Sequence, residues 1–298
     1  MKESVFIGMR KTTNLIIVIF LLGFLCSCRS YRYIYSAPPV NNPLFREKGE
    51  SKLSVLYSGG DRDYNDNSSS NKATRNEGVD IQGAYAITNH LAVTGSYYSR
   101  GERDLYDNST LHTDLYNYSD VDYKRQLTDF GIGYYGTSDK KKMNTWNLYA
   151  GIGFGKFSIN DHGLDDTSGA YSRFYDANIT KWYLQPSLNF WIHDILSFGL
   201  SARFSFIHYS GNTTSYTKEE QHYFFFDQIN DKTLINVEPS LNVEVPVHAA
   251  PWLKFSGDIT VVSHWPDGYP SSRQINISGG LTFDLSQIGR KNKSTTRK

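Results

Sequence analysis

Two groups of residues have the types and spacing for chemistry at a ligand or substrate. Asp61, Asp63 and Asn65 set oxygen ligands at alternate positions, as a calcium loop begins. The pattern then departs: Asp66 stands sixth, where the loop needs Gly, and Lys72 stands twelfth, where it needs Glu. Gly163-Leu164-Asp165-Asp166 is no better supported. Both stretches read as solvated loops, and no metal is expected. The second group is histidine. His162, His222 and His264 lie near Asp161, Asp227 and Asp267 in sequence, the pairing that general acid–base hydrolysis uses. His90, His193 and His248 fall at short turns instead, and His208 has the parity of an outward-facing strand position. No motif ties any of them to a nucleophile. The expectation is a chain that is not an enzyme, with no catalytic residue and no cofactor, and a rim-site hydrolase as the minor alternative.

A third candidate is covalent. Lys2, Arg10 and Lys11 precede an apolar run, Leu15–Leu25, that is too short for a membrane span. The run ends in Leu25-Cys26-Ser27-Cys28, which resembles a bacterial lipoprotein signal. Cys28 fits the lipidated position, with small residues before it, and Cys26 fits worse because Leu25 is large. The alternative is an ordinary secretory signal cut nearby. Residues 1–27 are then a signal peptide, Cys28 carries the acyl chains (palmitate among them), and 28–51, rich in Pro and Asn, read as a periplasmic tether.

What must position anything in this chain is a sheet. From Lys52 onward, apolar residues recur at every second position, ten times over. In Trp146–Gly155 the apolar set is Trp146, Leu148, Ala150, Ile152 and Phe154, against Asn147, Tyr149, Gly151, Gly153 and Gly155. Short connections at 88–90, 138–143, 193–194 and 247–251 alternate with longer polar ones at 61–76, 102–120, 161–170, 211–221 and 264–273. That alternation is the mark of an outer-membrane barrel. Ten strands is the preferred count. Asn230-Asp231-Lys232 leaves twelve open as an alternative, and eight is the other. The predicted class is an all-β, antiparallel transmembrane β-barrel over 52–286, followed by a basic periplasmic tail, 287–298.

The physical reason is the solvent. In hydrocarbon every backbone N–H and C=O must pair within the protein, so only helices and closed barrels cross. The apolar face then meets lipid and the glycine-rich face meets the lumen. Tyr57, Tyr85, Tyr97, Tyr98, Tyr134, Tyr135, Trp146, Trp182, Trp191 and Trp252 read as interfacial girdles. The inward set also carries charge: Arg125, Asp129, Lys181, Arg203, Glu238, Glu244, Lys254, Asp258 and Asp284. Unpaired charges in a narrow lumen are costly, so these are expected to form a network that plugs the barrel. A net charge of +1 points to no nucleic-acid partner.

Ser278, Gly280, Phe283 and Leu285 in the last strand match the barrel-assembly pattern of a polar residue, Gly, an aromatic and an apolar residue. Taken with Pro43–Glu50, Gln82–Val93 and Gly151–Lys156, the chain resembles the small lipidated outer-membrane β-barrel proteins of diderm bacteria. The resemblance implies location and fold and little chemistry. The expected partners are outer-membrane lipids, the barrel-assembly machinery and an envelope protein. The expected role is surface-loop binding or structural support, with a narrow channel as the alternative. The lipid anchor and both barrel ends are expected on the periplasmic side.

Overall fold

The computed structural model describes residues 32–60, 72–107, 116–139, 141–165, 169–192, 195–230, 232–265 and 271–288. The strands are β1 (Tyr33–Ser36), β2 (Ser51–Gly60), β3 (Lys72–Ala86), β4 (Leu91–Asp107), β5 (Tyr116–Thr137), β6 (Asn144–Asp165) and β7 (Gly169–Ile192). They continue with β8 (Leu196–Thr214), β9 (Thr233–Val247), β10 (Ala250–Val261), β11 (Ser263–Trp265), β12 (Ser271–Arg273) and β13 (Ile275–Asp284). A helix, α1 (Lys218–Tyr223), and a 3₁₀ turn, Phe226–Gln228, lie between β8 and β9.

β2 to β10 pair each with the next in antiparallel register, and β13 closes the sheet between β10 and β2. Ten strands therefore make a barrel without a free edge. Asn230 and Lys232 fall in the connection before β9, which settles the strand count. No described helix is long and apolar enough to cross a membrane.

Parity decides which face is outside. On β6, Trp146, Leu148 and Phe154 are 40%, 42% and 52% exposed, whereas Asn147 and Tyr149 are 3% and 1% exposed. The same holds for Val79 and Ile81 on β3, Phe130 and Ile132 on β5, Trp182 and Leu184 on β7, and Phe255 and Ile259 on β10, all exposed. A barrel with its apolar side chains outside and its polar ones inside is built for lipid, so the chain is a transmembrane β-barrel. The glycines permit close approach. A Cβ at Gly151 would run into the Tyr183 hydroxyl, and one at Gly133 into the Tyr149 ring.

Three expectations change. Tyr98, Tyr135 and Trp191 point into the lumen and are buried, so they are not girdle residues. The strands also run far past the expected loops: β5, β6 and β7 have 22, 22 and 24 residues. A tilted strand needs only about 9–11 residues to cross the hydrocarbon. The excess lies on the long-loop side, where polar and aromatic residues replace the apolar band but the ladder hydrogen bonds continue.

The third change is the largest. The stretch read as a tether is, from Arg32 to Phe45, the filling of the barrel. All of these residues except the half-buried Tyr33 are buried. A lumen of ten strands must be occupied by side chains or water. Ile34, Tyr35, Ala37, Val40, Leu44 and Phe45 supply the apolar surface that occupies it. The signal segment, residues 29–31 and the basic tail from 289 onward lie outside the described residues, as does the calcium-like stretch Asp61–Asn65.

Candidate functional site

The site is the filled lumen, built in layers from the long-loop end to the short-turn end. At the top, Arg32 donates through Nη2 to Asp161 at 2.5 Å and to Ser119 at 2.8 Å. Ser119, Tyr171 and Tyr216 also donate to Asp161, at 2.6, 3.2 and 2.8 Å. The connection between β8 and β9 folds over this layer as a lid. Thr217 and Glu220 cap α1 reciprocally, which fixes its start. Tyr216, Phe224, Phe226 and Ile229 then pack down onto Tyr175, Tyr209 and Phe157 in one apolar cluster. Arg32 sits over the Phe224 ring, 4.3 Å from its centroid. The upper lumen is thus aromatic as well as charged, a feature that a purely polar inner face did not lead one to expect.

Below the lid, β12 enters the lumen and pairs in parallel with β1: Tyr33 faces Ser271, Tyr35 faces Ser272 and Ser36 faces Arg273. Arg273 binds Glu102 at 3.0 Å and Asp104 at 2.6 Å and lies 3.9 Å from the Tyr33 ring centroid. Arg125 pairs with Glu102 at 2.8 Å and donates to the Tyr33 carbonyl. Arg100 donates to the Ser36 hydroxyl at 2.6 Å and to Asn276.

At mid-depth, Lys181 lies 2.9 Å from Asp129, and Arg203 lies 3.7 Å from the same carboxylate. Gln185 accepts from Arg203 at 3.0 and 2.9 Å, and Tyr35 donates to Glu238 at 2.8 Å. Asp258 accepts from Ser240, Asn242 and Thr260. Near the short-turn end, Glu244 holds both Lys52 at 3.0 Å and Lys254 at 2.8 Å. Asp284 accepts from Ser286 at 2.5 Å and from Gln287 at 2.6 Å, closing the end of β13.

All nine predicted lumen residues therefore face inward, but their pairing is only partly the expected one. Lys181 and Arg203 meet Asp129, and Lys254 meets Glu244. Arg125 turns to Glu102, and Asp284 to its own C-terminal turn. Sequence reasoning missed Arg32, Glu102, Asp104 and Arg273, and it read Asp161 as a rim acid near His162 rather than as a lumen residue. They stood in stretches assigned to tether or loop, and β12 has three residues, too few for a period to show. A signal was present for the plug: Tyr33, Ile34, Tyr35, Val40, Leu44 and Phe45 are more apolar than a free tether needs to be.

The plug is held by backbone as well as side chains. Gln82 donates to the Pro39 carbonyl, Asn242 to that of Val40 and Gln185 to that of Asn41. Asn42 bonds Asn189 at 2.8 Å and Asn147 at 3.0 Å. Beside 40–43, Lys52 and Glu244, a gap offers about 30 Å³ to water, room for one or two molecules.

At the short-turn end, Phe45 packs against Tyr135, and Lys48 bonds Asn89 through its backbone N–H. Gly49 has φ +84°, a left-handed turn that glycine takes without strain, and it leads the chain into β2. Thus Pro43–Glu50, one of the stretches that carried the resemblance, is the corner between plug and wall.

The assembly-signal residues sit at the closing seam. Leu281 faces Val55 across β13 and β2, and a Cβ at Gly280 would strike the β2 backbone. Ser278 faces the lumen, Phe283 stacks on Trp252 with centroids 6.3 Å apart, and Leu285 is exposed. Of the rim pairs, His222 does meet Asp227 at 2.9 Å, but its ring is 80% exposed and stands in solvent rather than in a cleft. Asp161 binds Arg32 rather than His162, which is exposed. Asp267 lies outside the described residues.

No protein-family model matches the chain, and no curated protein matches it in sequence. Among solved structures, it is similar to the translocator domain of the autotransporter NalP from Neisseria meningitidis, with a TM-score of 0.46 and 10% identity over 79% of this chain and 88% of that one. It is also similar to Ail, the attachment invasion locus protein of Yersinia pestis, with a TM-score of 0.30 and 14% identity over 79% and 99% of the two chains. A third is the outer membrane protein OprG from Pseudomonas aeruginosa, with a TM-score of 0.33 and 9% identity over 81% and 98%.

Proposed function

We propose that this chain is an outer-membrane β-barrel lipoprotein that conducts nothing and acts as a structural or surface-binding component of the cell envelope. One observation carries the reading: residues 32–45 occupy the lumen throughout its depth, with the lid of 215–230 packed above them. Short turns mark the periplasmic end of such barrels, so both ends of the barrel proper, Ser51 and Asp284, face the periplasm. Outward apolar residues meet the lipids, Cys28 carries the acyl chains, and the β13 signal engages the assembly machinery before the seam closes. The solvent-exposed setting of His222 and Asp227 gives no support to a hydrolase.

Planar-bilayer recording on the purified full chain tests this directly. The expected result is a silent bilayer, together with co-purification of an envelope protein from gently solubilised outer membranes. A steady ohmic conductance from the intact chain would replace the structural reading with that of a channel.

A further inference from the structure

The plug has a direction. Arg32 meets Asp161 of β6 and Ser119 of β5, both near the long-loop ends of those strands. Ser36 meets Arg100 of β4, and Asn41, five residues on, meets the Gly95 carbonyl of the same strand. Tyr35 donates to Glu238 of β9, and the Val40 carbonyl accepts from Asn242. Asn42 has reached Asn147 of β6, and Phe45 and Lys48 have reached Tyr135 and Asn89 at the short turns. On each wall strand that is touched more than once, the partner moves the same way. From Arg32 to Phe45 the chain can extend about 43 Å, more than the roughly 30 Å of hydrocarbon.

Position 32 and the start of β2 at Ser51 therefore lie at opposite ends of the barrel. A tether hanging from the periplasmic rim would have put them at the same end. Resting on the orientation given above, we propose that the chain is threaded outward through its own lumen, so that its processed N-terminus, with any lipid on Cys28, is delivered to the cell-surface side. Cys28 is four residues from Arg32, a reach of at most about 14 Å. That cannot carry it back across the membrane to the inner leaflet, where an anchor on the periplasmic side would sit. The lid explains how the segment is retained: Arg32 is held at once by the wall through Asp161 and by the lid through Phe224.

The test uses the full-length chain in cells, with one short epitope inserted between Ser30 and Tyr31 or, separately, after Lys298. Heat-modifiable mobility confirms that each variant has assembled. The proposal expects antibody to bind the 30/31 epitope on intact cells at the level seen after permeabilisation. The C-terminal epitope should stay at background until the outer membrane is opened. Two epitopes that appear on the same side overturn the threading. A C-terminal epitope on intact cells, with the 30/31 epitope visible only after permeabilisation, overturns the orientation and with it the surface claim, while leaving the two ends opposed.

A second variant needs no insertion. Tyr35 and Ser272 are partners in a strand pair, close enough for a disulfide. Tyr35→Cys with Ser272→Cys should cross-link in the assembled chain and change its mobility on a non-reducing gel. An assembled barrel whose introduced cysteines stay free under oxidant would contradict the threaded path.

Discussion

Arg32 and Asp161 are 129 residues apart in sequence and 2.5 Å apart in the upper lumen, both almost wholly buried. A buried pair of this kind stabilises little relative to an apolar pair, but breaking it leaves one charge uncompensated, at a cost of about 3–5 kcal/mol. Asp161 is also the acceptor for Ser119, Tyr171 and Tyr216, so it joins plug, wall and lid. Asp161→Ala should lower the unfolding free energy in detergent by about that amount. The double variant Arg32→Met with Asp161→Leu should recover the part that comes from the uncompensated charge, while the Ser119, Tyr171 and Tyr216 hydroxyls still lack their acceptor. A double variant as unstable as the sum of its single changes would show that the pair acts independently and does not hold the plug.

Gly151 and Tyr183 make a second, steric prediction. Tyr183 is buried, and its ring occupies the space where a side chain at 151 would project. Gly151→Val should therefore abolish the heat-modifiable assembled form. Adding Tyr183→Ala should restore part of it by clearing that space. Failure of the second change to rescue the first would mean that the Phe130 backbone carbonyl, which also lies against a Cβ at 151, and not the Tyr183 ring, sets the limit on that position.

The turn between β5 and β6 supplies a pH prediction outside the membrane. Asp139 accepts from the backbone N–H groups of Asn144 at 2.9 Å and Met143 at 3.2 Å. Those hydrogen bonds, that of Asn144 foremost, favour the ionised carboxylate and hold Asp139 below its usual value of 3.8. A depressed folded-state pKa contributes stability that is present above 3.8 and lost as pH falls through the lower, folded value. Amide-exchange protection at Asn144 should be flat from neutral pH down to about 5 and fall only below the usual aspartate range. Asp139→Ala should show the low protection at every pH. Protection in the parent chain that drops already near neutrality would assign the turn's stability to another group.

How much of this was legible in the sequence depended on period and length. Trp146–Gly155 declared its two faces because lipid demands an uninterrupted apolar set at every second residue. Ten such stretches pointed to the class and made ten the preferred count, while Asn230-Asp231-Lys232 left twelve open until the connection before β9 was placed. Past the hydrocarbon that demand ends. Glu102 and Asp104 continue β4 with the same parity but no apolar signal, so they read as loop. β12 is too short to show any period, and Arg273 was hidden with it. The plug was hardest to see, because an extended segment inside a barrel is held by contacts to strands far away in sequence. Asn42 with Asn189, and Tyr35 with Glu238, belong to this kind. Proline and asparagine, which suggested a solvated tether, serve there as hydrogen-bonding spacers.

The inside-out arrangement of polar and apolar faces is tested most directly by spin-label accessibility along β6 in lipid bilayers. Single cysteines would be introduced at 146, 147, 148, 149, 152 and 154 in a chain with Cys26 and Cys28 replaced by serine. Labels at 146, 148, 152 and 154 should collide freely with oxygen dissolved in the acyl region. Labels at 147 and 149 should be shielded both from oxygen and from a water-soluble nickel chelate. Oxygen access at 147 and 149, with 146 to 154 shielded at the even positions, would contradict a lipid-facing apolar surface and the barrel built upon it.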